Sequence, residues 1–80
     1  MIKADGFDDA IIGIDEQNNR IVYDKNAMCE ILIEDGLSEE DAWEYLSFNV
    51  WCAYVGENTP LYIDLMNHTE VENYYERAIY

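Results

Sequence analysis

Ala10-Ile11-Ile12-Gly13-Ile14-Asp15-Glu16-Gln17-Asn18-Asn19-Arg20-Ile21-Val22-Tyr23-Asp24 carries two short β-branched runs around a polar tetrapeptide. The runs 10–15 and 20–24 have strand composition. The Asn pair between them tolerates the left-handed backbone that a tight connection needs, so the segment predicts a β-hairpin. Two strands alone are marginal in water, and helices must therefore cover one face. That requirement sets the fold class as α+β.

Downstream, the pattern changes to helical. Asp24 can cap a helix reaching about Asp35, with Gly36 as its stop. Met28, Ile31 and Leu32 then fall on one face, with Ala27 beside them. A second helix starts at Ser38, whose hydroxyl can accept from the Asp41 amide while the Asp41 carboxylate reaches back, a variant of the capping box. Leu37 and Ala42 occupy the positions of a hydrophobic staple. From Leu46 to Val55 the sequence is apolar nearly all round, broken only by Ser47 and Asn49, which predicts a central helix ending at Gly56. Thr59-Pro60 marks a turn, and Leu61 to Met66 alternates as a third strand. Thr69 with Glu72 forms another capping box, after which Val71, Tyr74, Tyr75, Ala78 and Ile79 recur at helical spacing. The expected order is ββααβα: a hairpin and a third strand packed against two to three helices, one small α+β domain over residues 1–80.

Composition fits such a domain and colours its surface. The 80 residues lie near the lower end of what folds without metal or disulfide staples, but 50% are hydrophobic and 14% aromatic, enough for one core. Phe7 is the one apolar anchor in an otherwise polar, acidic N-terminal segment. Eighteen Asp and Glu stand against four Lys and Arg, a net charge of −14. Such a charge disfavours nucleic acid and anionic membrane as partners and favours a basic protein surface. Cys29 and Cys52 form no CxxC pair, and both sit in apolar helical patterns, so free buried thiols in a reducing compartment are expected. There is no apolar leader at the N-terminus and no run long enough to span a bilayer, which reads as cytoplasmic.

Three segments carry a family resemblance: Asp5-Gly6-Phe7-Asp8-Asp9-Ala10-Ile11-Ile12-Gly13, Asp35-Gly36-Leu37-Ser38-Glu39-Glu40-Asp41-Ala42 and Phe48-Asn49-Val50-Trp51-Cys52-Ala53-Tyr54-Val55-Gly56-Glu57-Asn58-Thr59-Pro60. Together they resemble a group of short, acidic, uncharacterised proteins of bacteriophages and prophages, over roughly residues 5 to 63. The resemblance implies a phage-encoded protein working inside a bacterial host, and it brings no reaction, ligand or functional residue. Compared with the group, the connection after Gly13 is shorter, and Cys52 stands where a glycine is common.

The residues offer no catalytic signature. Asp5, Asp8 and Asp9 lack the spacing of a calcium loop, and a solvated segment is the simpler reading. His68 is the only histidine, and neither a nucleophile–base pair nor a zinc set can be built on it. The four glycines are scattered and form no phosphate cradle. No catalytic residue, metal or cofactor is assigned, and an enzyme is not expected. The aromatic group Trp43, Tyr45, Phe48, Trp51 and Tyr54 lacks the neighbouring cations that a base-stacking platform needs, which argues against direct nucleic-acid binding. Core packing accounts for most of it. Trp43 among Glu39, Glu40 and Glu44, and Tyr74, Tyr75 and Tyr80 near the C-terminus, are surplus aromatics of the kind that anchor protein interfaces.

The acids point the same way. Glu39, Glu40 and Asp41 gain from the positive end of a helix dipole. Glu30 and Glu34, four residues apart, repel each other without a Lys partner. An ordinary surface would intersperse Lys among them. The expectation is an acidic phage protein that binds and inhibits a host protein with a basic surface. A nucleic-acid-binding defence complex (CRISPR or restriction) suits it, since a row of carboxylates imitates phosphates. Glu30, Glu34, Glu39, Glu40, Asp41 and Glu44 are the expected partner-binding acids, with Trp43 as apolar anchor. The second reading is a small homodimeric structural or assembly module whose acidity serves only solubility.

Overall fold

The computed structural model, which describes residues 1–78, turns its hairpin at Asn19, where φ is 57°. Asparagine is among the few side chains that visit this left-handed region readily. Asp15 fixes the turn by accepting from the backbone N–H of Asn18 at 3.3 Å and from its side-chain amide at 2.9 Å. The Asn58 amide ties the tip to the distant loop, donating to the Asn19 carbonyl at 3.1 Å.

The hairpin strands β1 (Ile11–Asp15) and β2 (Arg20–Asp24) pair antiparallel, with a register shift between Ile11 and Gly13. β3 (Leu61–Ile63) joins the other edge of β2 in parallel, so the sheet is mixed with β2 at its centre. Three helices complete the order ββααβα: α1 (Lys25–Glu34), α2 (Glu39–Asn49) and α3 (His68–Ala78). This is the α+β arrangement that the sequence predicts.

The boundaries of α1 follow from its ends. Asp24 closes β2 and caps α1, its carboxylate accepting from the Asn26 N–H at 3.1 Å. At the other end Gly36 adopts φ 111°. The Leu37 N–H then reaches the Leu32 carbonyl at 3.1 Å, and the Gly36 N–H the Ile33 carbonyl at 3.0 Å. Those two bonds are a Schellman stop. The sharp turn lets α2 start at once, with Ser38 Oγ accepting from the Asp41 N–H at 3.1 Å. The expected return bond from the Asp41 carboxylate is absent among the described residues.

One core joins these pieces. Phe7, Ala10, Ile21, Tyr23, Met28, Cys29 and Leu46 are buried together, with Ala42 also buried. Burying a side chain the size of Met28 or Leu46 stabilises by about 1.5–3 kcal/mol. Tyr23 satisfies its polar end by accepting from the Ala4 N–H at 2.8 Å, and it stacks on Tyr62 with ring centroids 5.6 Å apart. Phe7 is the anchor expected of it.

Several expectations need correction. α2 ends at Asn49, well before Gly56, and its apolar continuation is not central: Phe48 is 71% and Tyr54 74% exposed. The helix stops as Trp51 turns back to pack on Met28 of α1. The Val50 and Trp51 N–H groups both reach the Leu46 carbonyl, and the Trp51 bond, five residues long, is a wide closure that breaks the α-helical repeat. Cys52 consequently lies in the turn beyond α2 and is exposed, whereas Cys29 is buried. β3 ends at Ile63, not Met66, because its last partner, Asp24, is where β2 gives way to α1. The capping box of α3 is Asn67 with Glu70, not Thr69 with Glu72: the Glu70 N–H donates to Asn67 Oδ1 at 2.9 Å, and the Asn67 N–H donates to Glu70 Oε1 at 3.3 Å. His68 thus opens the helix, with Nε2 2.8 Å from Glu72 Oε1. Ile79 and Tyr80 lie outside the described residues. Among the described residues, no helix is long and apolar enough to cross a membrane.

Candidate functional site

α2 carries Glu39, Trp43 and Ser47, and beside them Glu40, Glu44 and Phe48, each set at helical spacing. These six residues line an open, mainly apolar groove on the protein surface. A second groove on the α1 side is lined by Asn26, Cys29, Glu30, Ile33, Glu39 and Trp43. Glu39 and Trp43 belong to both. The short link between the helices, made possible by the Schellman turn and the Ser38 cap, brings Glu30 of α1 to the same place as the α2 acids.

Trp43 thus shares its two grooves with four acids, Glu30, Glu39, Glu40 and Glu44. It is 44% exposed. Its position is fixed by Trp51, which meets it edge to face with ring centroids 4.8 Å apart and planes at 77°. Trp51 is in turn held by its indole N–H, which points to Met28 Sδ at 3.4 Å, and by Lys25, whose Nζ sits 4.7 Å over the ring. Lys25 also lies 3.8 Å from Asp64.

The electrostatics are one-sided. Among the described residues, neither groove is lined by a Lys or Arg. The other basic residues are placed elsewhere: Lys3 pairs with Asp8 at 3.1 Å, Arg20 lies opposite Asp15 across the hairpin, and Arg77 is in the last turn of α3. The field of the acids is felt by Cys29: burial pushes its thiol above the ordinary 9.0, and Glu39 and Glu30 push it further the same way, against Lys25. Such a thiol stays protonated and is a poor nucleophile.

Five of the seven sequence-predicted site residues meet here: Glu30, Glu39, Glu40, Trp43 and Glu44. Glu34 and Asp41 line neither groove. Asp41 serves α2 through its backbone, as the N–H that Ser38 caps. Phe48, which the sequence pattern assigns to core packing, lines the α2 groove and is 71% exposed. The signal that finds it is its spacing of four from Glu44 and eight from Glu40, which puts it on the acidic face. Among the described residues, no group of three or more His, Cys, Asp or Glu is placed to hold a metal ion.

Comparison with protein-family models, with curated proteins and with solved structures finds no match to the chain.

Proposed function

We propose that the protein binds and inhibits a host protein with a basic surface, through the acidic face around Trp43. The phage context implied by the family resemblance and the carboxylate-rich face suit a nucleic-acid-binding defence complex, CRISPR or restriction, in the bacterial cytoplasm. The observation that carries the reading is that Glu30, Glu39, Glu40 and Glu44 share with one half-exposed indole two grooves that, among the described residues, no Lys or Arg lines. Carboxylates so arranged offer a basic groove what phosphates offer it, and a fixed aromatic gives the docked surface an apolar anchor. No chemistry is assigned to the protein itself. Capture of partners from bacterial lysate on the tagged protein, washed first at low and then at high salt, tests this. Recovery of one nucleic-acid-binding complex, shed by salt and displaced by added DNA, supports it. Recovery of the protein alone, or of nothing salt-sensitive, overturns it.

One observation favours the homodimeric module as a second reading. Every side chain of α3 from His68 to Arg77 is exposed, and Val71, Tyr74 and Tyr75 share one face of it. Two such faces can bury each other. Sedimentation at several concentrations in half-molar salt separates the readings, because association through aromatics survives salt that screens the acids.

A further inference from the structure

We infer that the groove on α2 receives an arginine side chain of the partner, in preference to lysine. This rests on the proposed docking function and names the chemistry of the group that docks. The groove is lined by two aromatic residues, Trp43 and Phe48, and by three acids, Glu39, Glu40 and Glu44. A cation alone would be served by the acids, and an apolar side chain alone by the aromatics. A guanidinium uses both: its plane stacks on aromatic rings, and its fork matches a carboxylate with two parallel hydrogen bonds.

Within the fold, one ring of this indole pair, that of Trp51, already carries a cation. Lys25 already sits over Trp51, 4.7 Å from the ring centroid, and is drawn at the same time to Asp64 at 3.8 Å. Trp51 thus has a cation over its ring and a carboxylate near that cation. Trp43, its edge-to-face neighbour, has the carboxylates and half-open access but no Lys or Arg lining its grooves. A compact, strongly hydrated ammonium gains less than a guanidinium at such an open site, because Phe48 at 71% exposure offers a flat surface for stacking.

The test uses two labelled peptides of equal length and charge, nona-arginine and nona-lysine, titrated with the full chain at physiological salt and read by fluorescence anisotropy. The arginine peptide should bind about threefold more tightly, the gain expected of cation–π contact at an exposed ring. Phe48→Ser should bring the two affinities together while circular dichroism stays unchanged. Asp8→Asn with Asp9→Asn should lower both affinities alike and keep their ratio. Equal affinities in the unaltered protein overturn the inference, as does a ratio that survives both Phe48→Ser and Trp43→Leu. Those results leave the acidic docking face standing, since both peptides still bind. Failure of both peptides to bind even at low salt would remove the docking reading as well.

Discussion

Trp43 and Trp51 meet edge to face, their ring centroids 4.8 Å apart and their planes at 77°. Through this contact the acidic face of α2 is joined to the core, because Trp51 also touches Met28, which is fully buried. The anchor of the site is therefore held by residues that also hold the fold.

Replacing Trp51 tests that coupling. Trp51→Leu removes the edge-to-face pair, the perch of Lys25 and the contact with Met28 Sδ at once. A loss of about 3 kcal/mol is expected, in the range for truncating a large packed aromatic. Phe48→Ser, at a ring 71% exposed, should change stability by less than about 0.5 kcal/mol. Urea unfolding of both variants measures the difference, and similar costs would show that Trp51 is not structural.

Tyr23 gives a second stability test, at the other side of the core. Its ring is fully buried and its hydroxyl accepts from the Ala4 N–H at 2.8 Å. Tyr23→Phe keeps the ring but leaves that N–H without its partner. The cost should be about 1–2 kcal/mol, that of an unmade hydrogen bond at a partly buried group. Hydrogen exchange at the Ala4 amide should quicken, and an unchanged rate would mean the N-terminal segment is held by Phe7 alone.

The elements that were legible in the sequence are those whose ends are fixed locally. Asp24, Gly36 and Ser38 each act on a backbone group within a few residues, and Asn19 needs only its own φ. What was not legible depends on distant partners or on a degenerate pattern. The stop of α2 follows from Trp51 packing on Met28, 23 positions away. The length of β3 is set by where β2 becomes α1. Asn67-His68-Thr69-Glu70-Val71-Glu72 contains two overlapping capping boxes, and the periodicity beyond serves both. At the site, the α2 acids were visible as a helical face. Their meeting with Glu30 required the turn angle at Gly36, and the apolar run from Leu46 to Val55 masks Phe48 as core.

Alkaline pH should loosen the fold through two groups. Burial holds the Cys29 thiol above its ordinary 9.0 and the Tyr62 phenol above its ordinary 10.0, with Tyr23 adding to the latter. In both, the folded chain keeps a proton that the unfolded chain releases. Their contribution to stability is complete below the unfolded values and is lost as pH rises through the folded ones. Denaturant midpoints should thus fall as pH climbs above about 9, the onset for a free thiol. Cys29→Ser should shift that onset upward toward the range of the phenol, and an identical profile in the variant would assign the loss elsewhere.

Charge reversal separates the face around Trp43 from the rest of an acidic molecule. Glu40→Lys with Glu44→Lys and Asp8→Lys with Asp9→Lys shift the net charge equally, so any long-range steering is weakened alike in the two proteins. Only the first pair alters the groove. Affinity for the partner recovered from lysate should drop much further for the Glu40/Glu44 variant, chiefly through faster dissociation, while both variants should show a similarly reduced acceleration of binding at low salt. Glu40 also sits in the first turn of α2, where a lysine opposes the helix dipole, so the comparison is made alongside thermal unfolding. Glu44→Lys alone, one turn further on, repeats the test without that cost. Equal losses from the two double variants would show that partner binding reads total charge and that the grooves beside Trp43 have no special part in it.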